Sequence, residues 1–597
     1  MIDRKDADIR ETWDLTLLFK DEEAYEKLLR ETIEKVDRFA EKYESNIRDT
    51  NDIKEALEEY RQILECLSRM GNYCSLDVEA NVFNKEAVAR QANFSKKAAQ
   101  IYSKLSFLET DLCQLDLDIL EQAAKNEEDR VYLEKIMKDK EHILSKDVEK
   151  ALAALKNTIY FPYTSYNDIK FRDIKFPDFE VNGKTHHMTY NSFEGRLETD
   201  LDKDLRREAF RVFSDELRKY ENSTASAYNA QVQAEKTISL LRGYDSVFDY
   251  LLDMQDVSAD LYNRQLDVIM EDLAPHMRKY AKLIGDIYGL DKVKYEDLKL
   301  EIDPNYSPKV SFEEAKKYIL DGLSLLGGDY KKILEEAFDK RWIDYAETTG
   351  KRTGAFCASP YGANSFILMF FSESMSDCMT LAHELGHAGH FQLAHANQNI
   401  LNSRPSMYFV EAPSTTNELL LENYLLDEAK DDLTMRRWVI SQMISKTYYH
   451  NFVTHFIEGY FQREVYRLVD KGESLDADKL DELFRDTLEK FWADSVELTQ
   501  GAELTWMRQP HYYMGLYPYT YSAGLTIGTQ MAMKIRSQGQ EVADNWIRVL
   551  KMGGTKNAEG LAKEALVDIS TDQPLKDTVA YIGSLVEELV DLTGKLK

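Results

Sequence analysis

His383 and His387 stand four residues apart in the segment Leu381-Ala382-His383-Glu384-Leu385-Gly386-His387-Ala388-Gly389-His390. On a helix this spacing sends both imidazoles off one face, where they converge on a single ion. Glu384, one position on, lies about a quarter-turn round the axis and flanks the ion without ligating it. A zinc ion held by neutral imidazole and carboxylate donors keeps its fourth position for water and lowers that water's pKa to about 7. A neighbouring carboxylate then completes the deprotonation. The chemistry that fits is hydrolysis by metal-activated water, with Glu384 as general base.

A five-residue pattern with two free positions is only moderately specific, so the third ligand carries the weight. A histidine third ligand would extend the motif to HExxHxxGxxH, but the required glycine and histidine positions hold His390 and Leu393. The alternative is a carboxylate on a following helix. Glu411 lies 24 residues after His387, and the stretch from Asn397 to Pro405 supplies the turn between them. The expected ligands are therefore His383, His387 and Glu411, around one zinc ion per chain. Glu418, seven residues beyond Glu411 and on the same helical face, is placed to orient a ligand imidazole from behind. Seven of the eleven histidines fall between 383 and 511. With three ligands already assigned, His390, His395, His450 and His455 read as packing or helix-surface residues. His186 and His187 are adjacent, so in a strand they face opposite sides and cannot grip one ion.

The elements that must position these residues are mainly helical. The first 161 residues contain no proline and a single glycine, Gly71, and apolar residues such as Ile63, Leu67 and Met70 recur at helical spacing. Helices propagate where nothing breaks them, so residues 1–160 read as an N-terminal helical region. The texture changes over 161–198, where Pro162 and Pro177 appear and Asn182-Gly183 marks a two-residue hairpin turn. Residues 199–597 read as a helical catalytic region carrying the HExxH helix and the third-ligand helix. Within it, Ser365 to Phe371 is a short, aromatic-rich run between breakers, which favours a strand beside the site. An extended substrate backbone is expected to pair with that strand.

Composition narrows the partners. Asp and Glu number 106 against 76 Lys and Arg, a net charge of −30, and such a surface repels phosphate backbones, which excludes nucleic acid. Five cysteines, odd in number and without paired metal spacing, argue for a reducing compartment. The N-terminus lacks an apolar signal core and no apolar run is long enough to span a bilayer, so a cytoplasmic location without membrane contact is expected.

Phe409-Val410-Glu411-Ala412-Pro413-Ser414, following the histidine segment, resembles the thimet oligopeptidase superfamily and, within it, the oligoendopeptidase F branch. Further matches span nearly the whole chain: Thr12-Trp13-Asp14-Leu15, Arg242-Gly243-Tyr244, Gly354-Ala355-Phe356, Phe366-Ile367-Leu368, and Pro510-His511-Tyr512 followed by Tyr517, Tyr519 and Tyr521. The resemblance implies a mainly α, two-lobed zincin-type peptidase with a deep central channel, a small β-sheet beside the active site, one zinc ion, and short peptide substrates cut at internal bonds. It also implies that His511 and a tyrosine of the 517–521 loop steady the tetrahedral intermediate. Tyr521 is the first choice, with Tyr519 and Tyr517 behind it. The segment Cys357 to Asn364 departs from the commoner pattern of that branch. Two rival readings are a helical metallocarboxypeptidase or dipeptidase, which needs a cationic anchor that neither Arg404 nor Arg508 supplies by its spacing, and an inactive peptide-binding protein, against which the intact His383, Glu384, His387 and Glu411 set argues.

Overall fold

The computed structural model describes residues 2–597. Helices dominate, with two small sheets among the described residues. The chain forms two compact units, each assembled from three stretches. One comprises the chain through Lys146, Pro308–Tyr424 and Met531–Val567; the other comprises Asp147–Ser307, Leu425–Gln530 and Asp568–Lys597. Among the described residues no helix is long and apolar enough to cross a membrane, and none of the five cysteines is in a disulfide.

The first unit begins with three long helices, Glu22–Tyr43, Thr50–Ala80 and Lys85–Leu105. Each starts where the sequence supplies a side-chain cap. Asp21 accepts from the backbone of Ala24, Asp49 from Asn51 and Asp52, and Asn84 from Glu86 and Ala87. Such caps are worth about 1 kcal/mol apiece. Leu29, Val36 and Phe39 on the first helix face Ile63, Leu67 and Met70 on the second in a single apolar core. That core runs on into Phe366 and Leu368. Trp13 makes the junction, its ring edge-on to Phe366 at 6.0 Å.

Phe366–Leu368 is the middle strand of a three-stranded sheet, parallel to Ile343–Asp344 and antiparallel to Phe356–Ala358. The strand expected over Ser365 to Phe371 is thus only three residues long, because its partners offer two and three residues to pair with. Its position also moves the substrate-pairing expectation. Both edges of Phe366–Leu368 are taken, so the strand with a free edge near the motif helix is Phe356–Ala358. Asp344 anchors the sheet from within: fully buried, it is ion-paired to buried Lys351 at 2.8 Å and to Arg4.

In the second unit, strands Phe179–Val181 and Lys184–His186 form the hairpin that Asn182-Gly183 announces. Both turn residues have positive φ, 53° and 73°, as a two-residue turn matching the strand twist requires. His186 stacks on Phe179, and His187 contacts Asp178 at 2.7 Å on the surface. Helices Lys203–Arg218, Glu221–Leu241, His455–Asp470 and Ala477–Trp492 supply much of the core. Immediately before His455 the chain widens into π-helical turns over Met443–Tyr448 and His450–Thr454.

Candidate metal centre

The motif helix, Met375–Asn397, is capped by Ser374, whose hydroxyl accepts from the Asp377 backbone at 3.1 Å. Leu381, Ala382, Leu385 and Ala388 bury one side of it. Gly386 and Gly389 let neighbours approach its backbone. A Cβ on Gly386 would lie 2.5 Å from the Ser414 Cα and 2.8 Å from the Pro413 carbonyl. One on Gly389 would lie 2.5 Å from the Tyr330 ring. The motif helix therefore packs in direct backbone contact with the start of the next helix, Ala412–Ala429. Asn417 of that helix donates to the Ala382 carbonyl at 3.3 Å and accepts from the Tyr330 hydroxyl at 3.1 Å.

Glu411 sits immediately before this second helix. Its carbonyl accepts from the Thr415 backbone and hydroxyl at 3.1 and 2.7 Å, and its carboxylate accepts from the Ser414 hydroxyl at 2.9 Å. The carboxylate is thereby aimed at the histidine pair. Its Oε2 lies 3.5 Å from His383 Nε2 and 3.3 Å from His387 Nε2. Two donors bound tetrahedrally to one zinc ion at the usual bond length are about 3.3 Å apart. The three side chains are partly exposed. The donor set fits zinc.

The surroundings set the charge balance. Glu418 Oε2 lies 3.0 Å from His383 Nδ1, so the ring's other nitrogen, Nε2, is the one turned to Glu411. Burial alone would push the His383 ring down, but hydrogen bonds to Glu411 and Glu418 reverse this and hold it well above the ordinary imidazole value. Burial likewise pushes the Glu411 carboxyl up, and His387 and His383 outweigh it, leaving the group well below the usual carboxylate range. Glu384 is buried beside the triad but outside the group of converging donors. Its burial raises the carboxyl above its ordinary value against the pull of both imidazoles.

Residues 197–581, which contain every one of these side chains, match the description of peptidase family M3. The chain belongs to peptidase family M3. Residues 111–176 match the family's Oligopeptidase F N-terminal description, which places the chain in the oligoendopeptidase F branch. Similar proteins include an oligopeptidase PepF of Bacillus subtilis, 27% identical over 100% of this chain and 89% of the relative. An oligoendopeptidase F homolog of Borreliella burgdorferi is 28% identical over 99% of both chains. Among solved structures, an oligoendopeptidase-F from Enterococcus faecium superposes with a TM-score of 0.75 at 21% identity, covering 96% of this chain and 99% of that one, a likeness of fold. The protein is thus a metallopeptidase.

In the second unit of this M3 peptidase lie His511 and the three tyrosines. The Tyr521 hydroxyl is 3.4 Å from His511 Nε2, and its ring stacks on His455 at 3.9 Å. Tyr517 stacks on His511 at 5.2 Å. Tyr519 is directed elsewhere, donating its hydroxyl to Gln255 Oε1 at 2.6 Å with its ring against Tyr262. Both Tyr519 and Tyr521 belong to the first turn of the helix Tyr519–Gln538, and two positions apart on a helix is about 200°, so they face opposite ways. His455, read from the sequence as a packing residue, is joined to Glu458 at 2.8 Å and to His450 at 3.0 Å. The i, i+3 spacing of His455 and Glu458 was available as a signal. The His450 contact was not, because residues five apart meet only across a π-helical turn. Arg508, a candidate anchor for a substrate carboxylate, is held by Glu194 at 2.8 Å and Glu198 at 3.3 Å.

Proposed function

We propose that this M3 peptidase is a zinc endopeptidase that hydrolyses internal bonds of short, unstructured oligopeptides. The observation that carries the reading is the convergence of His383 and His387 on Glu411, whose Oε2 lies 3.3–3.5 Å from both Nε2 atoms, with Glu384 buried alongside and not among the converging donors. Zinc, when bound, supplies Lewis acidity: it acidifies water and polarises a carbonyl. Glu384 takes the proton from the attacking water and delivers it to the leaving amine. Glu418 holds the His383 ring with Nε2 turned to Glu411, where it would serve as a ligand. His511 and Tyr521 donate hydrogen bonds to the developing oxyanion, the role that resemblance to the oligoendopeptidase F branch gives them. The Phe356–Ala358 edge pairs with an extended peptide backbone, which tolerates varied side chains.

Internal cleavage is supported by Arg508. With its guanidinium engaged by two glutamates, it does not offer the unpaired cation that an exopeptidase needs to bind a terminal carboxylate. The names of the relatives, oligopeptidase and oligoendopeptidase, agree with short substrates. The test is elemental analysis of purified protein together with digestion of an acetylated, amidated ten-residue peptide. Stoichiometric zinc and internal cleavage are expected. Failure on the blocked peptide with cleavage of its free-ended form would move the assignment to an exopeptidase.

A further inference from the structure

Glu458 lies one turn into the helix His455–Asp470, its side chain 1% exposed, amid three histidines. Its Oε2 is 2.8 Å from His455 Nδ1 and 3.8 Å from His511 Nδ1. The second of these is too long for a hydrogen bond, yet His511 Nδ1 and Glu458 Oε1 are both buried and neither has a hydrogen-bond partner. A buried donor and a buried acceptor on neighbouring side chains are each costly unless they meet. The rest of the cluster is closed. His455 Nε2 is engaged by His450 Nε2 at 3.0 Å, Tyr521 covers the face of His455, and Tyr517 covers His511. These contacts do not describe a second metal site. The 2.8 Å separation is that of a hydrogen bond, shorter than the roughly 3.3 Å edge between two donors on one zinc ion.

We propose that Glu458 is a positioning residue for His511: its carboxylate accepts from His511 Nδ1–H and so fixes which edge of the ring, Nε2, is presented beside Tyr521. The inference rests on the reading of His511 and Tyr521 as oxyanion donors. An imidazole with nothing at Nδ1 can turn over and exchange nitrogen for carbon at the reacting edge. One tied to a carboxylate cannot, and its tautomer is set. With Nδ1–H committed to Glu458, Nε2 donates to an oxyanion in the doubly protonated ring, whose positive charge the carboxylate balances. Glu458 is anionic for this purpose: burial pushes its carboxyl up, but His455 and His511 outweigh burial and bring it down to about 2.

The test is a double-mutant cycle read as kcat and KM on a quenched peptide, with melting temperatures as a folding control. Glu458→Gln keeps the shape and removes the charge. It is expected to lower kcat about 10-fold or more, the usual scale for a lost orienting partner, while KM changes less than about twofold. In a His511→Ala background the same substitution is expected to change kcat by less than about twofold, because its effect travels through His511. An equal loss with and without His511, or an unchanged kcat, overturns the proposal while leaving the oxyanion reading intact. A fully active His511→Ala protein overturns the oxyanion reading and the proposal with it. A measurement on the parent protein serves even where the variant does not fold. With 15N-labelled histidine, and His511→Gln to assign the signal, Nδ1 of His511 is expected in the protonated range, and an unprotonated Nδ1 sinks the proposal.

Discussion

Each unit of the molecule builds a cluster of histidine and glutamate, and the two clusters are put together differently. In the first, His383 and His387 are four apart on a regular helix and meet a carboxylate from the next one, with nitrogens and oxygen 3.3–3.5 Å apart and partly open to solvent. In the second, His450, His455 and Glu458 form a chain whose contacts are 2.8 and 3.0 Å, with His455 and Glu458 almost wholly buried and His511 Nδ1 3.8 Å from the Glu458 carboxylate. The same residue types therefore serve two ends. Donors held apart and facing a common point make a place for an ion. Groups in direct contact, as His450, His455 and Glu458 are, bond to one another instead.

Breaking the first cluster is expected to have the largest effect. His387→Ala or Glu411→Ala should lose both metal and activity, whereas Glu384→Gln should keep the metal and lose turnover by about 10²–10⁴-fold. Metal analysis beside steady-state kinetics checks this, and a fully active Glu384→Gln enzyme would remove the general-base assignment. Next comes the second cluster. His511→Ala and Tyr521→Phe should each lower kcat by about 10²–10³-fold with KM nearly unchanged, as for contacts made only in the transition state. Tyr519→Phe should affect kcat far less, since its hydroxyl is bound to Gln255; the opposite ranking of the two tyrosines would reverse their roles. A smaller change is expected for Glu418→Gln, which should weaken metal retention about 10–100-fold in competition with a chelator. Unaltered retention would show that His383 needs no support from behind.

The smallest expected effect is one of stability and concerns a buried carboxyl with no histidine beside it. Glu235, hydrogen-bonded by Tyr466 and by Gln231 at 2.9 Å, is pushed up to about 7 by burial, against about 2 for Glu458 among its histidines. A raised carboxyl favours folding fully below its unfolded value of 4.5 and loses that contribution as pH rises through 7. Glu235→Gln should therefore gain on the parent by up to about 3 kcal/mol between pH 5 and pH 8 in denaturant melts. A pH-independent gap would show that Glu235 is ionised throughout.

The parts of the site that follow helical arithmetic were legible in the sequence. A spacing of four between His383 and His387, and of seven between Glu411 and Glu418, places side chains on one face without knowledge of the rest of the fold. The capped N-terminal helices and the Asn182-Gly183 hairpin were legible for the same reason, since local chemistry decides them. What was not legible depends on long-range packing or irregular backbone. The order of strands in the sheet places Phe366–Leu368 in the middle and Phe356–Ala358 at the edge, and no local pattern encodes that order. The meeting of His450 with His455 needs a π-helical turn, and the approach of Glu458 to His511 joins residues with no shared periodicity. The division of the chain into two units interleaves three stretches each, with no shift in composition to mark it.

Gly386 occupies one of the two unspecified letters of the HExxH pattern, and in this chain that letter is not unspecified. A methyl group there has nowhere to go, with the Ser414 Cα 2.5 Å and the Pro413 carbonyl 2.8 Å from where it would sit. Ser414 is also the residue that steadies the Glu411 carboxylate. Any larger side chain would wedge the two helices apart and carry the oxygen away from the nitrogens, so the gauge of the ligand set is written in a missing atom. A recognition pattern that ignores this position would accept sequences whose two histidines and two glutamates are intact and whose jaws no longer close.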